Sequence, residues 1–107
     1  GGGFLSTPSD LCRFALAMMS DKLMKRGTRD AMWTPQKAGD GTPIVYGLGW
    51  RVSAPYGGPV ISHSGGQAGT ACFLTIAPAW GVSIAVMTNL RGADIRAIAR
   101  DVGTAIR

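Results

Sequence analysis

The sequence holds no glutamate, one histidine and two cysteines in 107 residues. Cys12 and Cys72 with a single imidazole make neither a metal-ligand set nor a disulfide framework, so no metal and no cofactor is expected. Cys12 falls in a helical pattern and Cys72 in a strand pattern, and both read as free buried thiols. No apolar run approaches the roughly 18 residues that a membrane-crossing helix needs. The chain opens Gly1-Gly2-Gly3-Phe4, without Met or a basic leader, so no secretory signal is read. A processed, dissected or incomplete chain is expected from that opening. Charge is also scarce, at 16% of residues. A domain this small has much surface to solvate, so the shortfall implies that part of the surface is covered by something else. No internal repeat and no low-complexity segment occurs.

The charge that is present is one-sided. Eleven Lys and Arg against six Asp give a net +5. Such a balance admits an anionic partner. The bases are scattered, however, and the one cluster, Lys22 to Arg29, has no interleaved aromatics, so no nucleic-acid partner is expected. The favoured reading is the basic surface of a piece whose acidic partner segments lie elsewhere. The length fits a single domain over residues 1–107, with about two thirds of the unfolded surface buried.

Residues 6–20 predict a helix. Thr7 is a good N-cap, Pro8 suits the first helical position, and Asp10 complements the dipole. Leu11, Phe14, Ala15, Met18 and Met19 make its apolar stripe. Gly27 breaks the pattern, Thr28 caps a short helix through Trp33, and Pro35 stops it. Residues 36–43 read as a polar loop. From Ile44 the period changes to two, with Tyr46, Leu48, Trp50 and Val52 on one strand face. Val60–Ser64, Cys72–Ala77 and Val82–Thr88 are further strands, divided by turns at Pro55–Pro59, Gly65–Gly69 and Pro78–Gly81. Such short connections suit antiparallel neighbours. The last two strands are nearly continuous in apolar residues, which suits a sheet covered on both faces. Residues 92–106 return to helical spacing, with Ile95, Ile98, Ala99, Val102 and Ile106 as the buried stripe. The fold class is therefore α+β. An antiparallel sheet of three or four strands is flanked by an N-terminal helix pair and a C-terminal helix.

His63-Ser64-Gly65-Gly66-Gln67 follows the short apolar strand start Val60-Ile61. An imidazole, a hydroxyl and two glycines at a strand end present a donor and a closely approachable backbone to a ligand. The three tryptophans, Trp33, Trp50 and Trp80, read as packing residues. Asp40 and Asp94 are acids that could complete a Ser-His-Asp set, but nothing in the spacing positions them.

Four segments in order resemble a known family. They are Gly2-Gly3-x-x-Ser6-Thr7-x-x-Asp10-Leu11-x-Arg13-Phe14, then Tyr46-Gly47-Leu48-Gly49-Trp50, then His63-Ser64-Gly65-Gly66, then an apolar strand pair ending Met87-Thr88-Asn89. Together they resemble the C-terminal part of serine β-lactamase-like hydrolases. That group includes class C β-lactamases, low-molecular-weight penicillin-binding proteins, D,D-peptidases and related esterases. The resemblance implies a partial β-lactamase-like fold and acyl-enzyme hydrolysis of an amide or ester. It implies a β-lactam, a D-Ala-D-Ala peptide or a simple ester as substrate. Its active centre combines Ser-x-x-Lys, a Tyr or Ser motif on a loop, and Lys-Thr-Gly or His-x-Gly on an inner strand. His63-Ser64-Gly65 matches the last of these. By that match His63, Ser64 and Gly65 bind substrate, and the Gly66 N–H is one of two oxyanion donors, worth about 3–4 kcal/mol.

The departures bear on competence. No serine is followed by Lys at the third position, and neither Tyr46 nor Tyr56 begins a Tyr-x-Asn. The isolated chain is expected to be inactive, with the nucleophile on a complementary N-terminal segment. The alternative is a non-catalytic module that self-associates or pairs with another chain through its sheet edge and apolar helix stripes. Many members of the group are exported, so a periplasmic or extracellular site is the family tendency.

Overall fold

The computed structural model describes residues 2–106. Its first helix, α1 (Pro8–Met19), starts where the sequence places it. The Thr7 side chain accepts from the Asp10 N–H, and Pro8 occupies the first turn. The second helix, α2 (Arg26–Met32), begins earlier than the Gly27 break and Thr28 cap predict. Lys25 is its N-cap, with no side-chain cap bond. The helix is secured from Arg29 instead, whose guanidinium donates to the Met19 carbonyl at 3.0 Å and lies 5.3 Å from the Trp33 ring centre.

Four strands form one antiparallel meander in the order β1 (Arg51–Ser53), β2 (Val60–Gln67), β3 (Thr70–Ala77) and β4 (Val82–Thr88). A 3-10 turn over Pro78–Trp80 joins β3 to β4 and ends on Gly81 in the left-handed region. The last helix is α3 (Ile95–Ala105), whose N-cap Asp94 accepts from the Ala97 N–H. The α+β class and the antiparallel sheet are as the sequence predicts.

Two sequence expectations change. The run from Ile44 is not a continuous strand. Residues 45–52 double back, with the Gly47 N–H donating to the Trp50 carbonyl and the Val52 N–H to the Val45 carbonyl. Trp50 and Val52 turn inward, while Tyr46 and Leu48 stay exposed. Gly47 makes the reversal possible, because a Cβ there would lie 2.0 Å from the Met32 carbonyl oxygen. The turn expected at Gly65–Gly69 is also shorter. β2 runs through to Gln67, opposite Thr70, and only Ala68 and Gly69 turn the chain, with Gly69 at φ +77°.

Strand alternation gives the sheet two faces. Ile61, Leu74 and Ile76 join Ala15 and Met18 of α1, with Trp50 and Val52, in the main core. Phe14 stacks on Trp50 at 6.2 Å between ring centres. The other face carries Phe73 and Ile84 and is covered by α3. There the predicted stripe is only partly buried: Ala99 is inside, but Ile98, Val102 and Ile106 are exposed. Small residues explain this, since Ala99 and Gly103 let α3 sit close over Ile84. Among the described residues no helix is long and apolar enough to cross a membrane.

Candidate functional site

The register of β2 decides what the His63–Gln67 run can present. β1 pairs only with Val60–Ser62, ending at Arg51 opposite Ser62. β3 pairs with β2 all the way to Gln67. From His63 onward, the side of β2 away from β3 has no strand partner among the described residues.

The direction of the backbone groups along that open edge follows from the ladder. In an antiparallel pair, residues alternate between bonding one neighbour and the other. The Val52 N–H points outward to the Val45 carbonyl, so Val52–Ile61 is the non-bonded pair between β1 and β2. Arg51–Ser62 is then the bonded pair. Continuing by twos, Ser64 and Gly66 direct their N–H and C=O groups to the open edge. The two-residue turn after Gln67 gives the same phase from the other end, because its closing pair bonds β2 to β3.

The same alternation separates side chains. His63 and Gly65 lie on the α1 face, and Ser64 and Gly66 on the α3 face. His63 is exposed, and the Tyr46 ring meets it edge-on at 6.3 Å between centres. The Ser64 hydroxyl lies 3.5 Å from the Arg96 guanidinium, which also covers the Phe73 ring at 5.1 Å. A Cβ on Gly65 would come 2.9 Å from the Cys72 sulfur, so the opposing thiol fills the space a side chain would take. At Gly66 the nearest atom to such a Cβ is the Thr70 carbonyl oxygen at 3.7 Å, an ordinary contact.

The acids considered for a triad are committed to backbone. Asp94 caps α3, and the Asp40 carboxylate accepts from the Thr42 N–H at 2.9 Å. The Thr42 hydroxyl and N–H hold the Asp40 carboxyl below its ordinary value. Cys12 and Cys72 are free and half-buried. Sequence reasoning missed Tyr46 and Arg96 as neighbours of the run. Both lie far from it in sequence: the packing of α3 on the sheet brings Arg96 to Ser64, and the reversal before β1 brings Tyr46 to His63. Among the described residues no group of three or more His, Cys or Asp side chains could hold a metal ion.

A protein-family model described as Beta-lactamase matches residues 1–105. The chain is also 35% identical over 65 residues to penicillin-binding protein 4* of Bacillus subtilis (strain 168). That match covers 60% of this chain and 14% of the relative's length.

Proposed function

The chain belongs to the Beta-lactamase family, and from that membership we propose that it supplies the substrate-binding strand of a serine hydrolase. The observation that carries this reading is the open edge of β2 from His63 to Gln67. A substrate in extended form adds to such an edge as a further strand, with main-chain hydrogen bonds to Ser64 and Gly66. His63, Ser64 and Gly65 are the substrate contacts. The His63 imidazole donates to a carbonyl or anionic group on the α1 side of the bound chain. Gly65 has no side chain to hold the substrate off the strand.

Gly66 is the oxyanion donor. When a serine hydroxyl attacks the scissile carbonyl, the carbonyl oxygen gains negative charge, and a fixed N–H at hydrogen-bond distance stabilises it. Collapse of that intermediate expels the amine or alcohol and leaves an acyl-enzyme, which water hydrolyses. The attacking serine with its Lys is not encoded in these 107 residues, since no serine has Lys at the third following position. It belongs to a complementary segment, and the isolated chain is inactive. The Bacillus relative is named for binding penicillin, which supports penicillins as the substrate class.

Two measurements test this. Titration of the chain with an acyl-D-Ala-D-Ala peptide is expected to shift the Ser64 and Gly66 amide resonances most. Gly66→Pro, which removes an N–H that makes no ladder bond, is expected to abolish the response in a folded chain. Shifts elsewhere, or an undiminished response in the proline variant, overturn the edge reading. Incubation with a fluorescent penicillin is expected to leave the chain unlabelled, and covalent labelling at any residue overturns the claim of inactivity.

A further inference from the structure

The His63 imidazole stands where the open edge of β2 begins, and no polar group holds it. It is exposed and makes no hydrogen bond among the described residues. An exposed strand side chain in that state exchanges freely between staggered rotamers. Its one ring contact among the described residues is Tyr46, at 6.3 Å between centres and 68° between planes. Tyr46 is itself fixed from behind. Its carbonyl accepts from the Gln36 N–H at 2.9 Å, and its backbone bridges to Arg51, where β1 starts. On either side, the Val45 carbonyl accepts from the Val52 N–H at 3.0 Å, and the Gly47 N–H donates to the Trp50 carbonyl at 2.7 Å. None of these bonds uses the Tyr46 side chain. The ring stands outside the main core, and its hydroxyl has no hydrogen-bond partner among the described residues.

We propose that Tyr46 is a positioning residue, which acts through His63 by holding the imidazole ready for a ligand on the β2 edge. The inference rests on the substrate reading of that edge and adds the residue that orients its donor. The attraction is that of an edge-on aromatic pair, in which the positive rim of one ring meets the negative face of the other. Restricting His63 before a ligand arrives removes an ordering cost that binding would otherwise carry. The frame behind the ring is made of backbone bonds alone, so the ring is in place in the free chain. The reversal at Gly47 thereby gains a purpose. A continuous strand from Ile44 would carry Tyr46 past the point where β1 stops, whereas the reversal sets it beside the start of the open edge.

His63 is the only histidine of the chain, so its ring protons are read without ambiguity. In Tyr46→Leu those protons are expected to lose their ring-current shift, and the Hα–Hβ couplings of His63 to move toward rotamer averages. Tyr46→Phe, which keeps the ring, is expected to change neither. Retained Gln36 and Gly47 amide resonances show that the frame of each variant is intact. With the acyl-D-Ala-D-Ala peptide, Tyr46→Leu is expected to raise the dissociation constant about three- to tenfold, the effect of one aromatic pair. Tyr46→Phe is expected to leave it unchanged. In a His63→Ala background, Tyr46→Leu is expected to add nothing, because the two residues act as a unit. Unmoved His63 couplings in Tyr46→Leu, or the same weakening with and without His63, overturns the proposal. So does a Phe variant as weak as the Leu variant, which makes the hydroxyl itself the ligand contact. If the wild-type chain binds no peptide, it is the substrate reading that fails, and the His63 couplings still decide whether Tyr46 holds the imidazole.

Discussion

A methyl group meets different surroundings at Gly65 and Gly66. At Gly65 it would press on the Cys72 sulfur at 2.9 Å, whereas at Gly66 it has ordinary contacts only. Gly65→Ala is therefore expected to destabilise the chain by about 1–3 kcal/mol, the range for an overpacked site. Cys72→Ala in the same chain is expected to return most of that loss, as contacting pairs do. A double-mutant cycle by urea denaturation reads the coupling, and additive effects would show that the thiol is not the obstacle. Gly66→Ala is expected to leave stability within about 0.5 kcal/mol, since it removes no contact and keeps the N–H. Gly47→Ala is the harshest of these changes. The obstructing atom is a backbone carbonyl of α2, which cannot rotate away. Asp40 gives a pH signature. Its folded carboxyl lies below the ordinary range because the Thr42 hydroxyl and N–H bond the ionised form. The sign follows from the depression: the contribution is complete above the unfolded pKa and is lost as pH falls through the folded one. Thr42→Val is expected to move the Asp40 titration midpoint upward in NMR, and an unmoved midpoint would sink the hydroxyl's part.

At the scale of elements, β2 shows how much a sequence carries. The helix α1 was legible to its cap because Thr7, Pro8 and Asp10 act locally. Thr7→Ala is expected to cost about 1 kcal/mol for the lost bond to the Asp10 N–H, read by thermal unfolding. The order of strands was legible for the same reason, since each turn sits between its own two strands. The reversal at Gly47 was not. Its alternating residues fit a strand, and what bends it is the α2 backbone some fifteen residues earlier, contacted by the Leu48 N–H at 2.9 Å. The length of β2 is not legible because its two glycines read as a turn. In the ladder they serve where close approach matters, and the turn falls on Ala68 and Gly69. His63 to Gly66 were found from residue type and order. That Ser64 and Gly66 hold the outward backbone groups needed the register, which depends on where β1 stops.

The whole molecule is thinly filled. Among the described residues only Met18, Ile61 and Ile76 of the larger side chains are fully buried. The radius of gyration is 14.3 Å, against about 13 Å for a well-packed domain of 100 residues. Phe4, Leu5, Ile98 and Val102 stay exposed, in line with the scarcity of charge. The main core holds α1 to the sheet, while α3 rests chiefly on Ala99 and its neighbours. The chain alone is therefore expected to unfold with a free energy at or below about 5 kcal/mol, the low end for native domains. It is also expected to bind an apolar dye while its strand signal in circular dichroism is intact. Hydrogen exchange should rank the parts, with β2 and β3 protected most and α2 and α3 least, because burial of those helices is incomplete. Uniform protection across all three helices, together with no dye binding, would show that the surface needs no further cover.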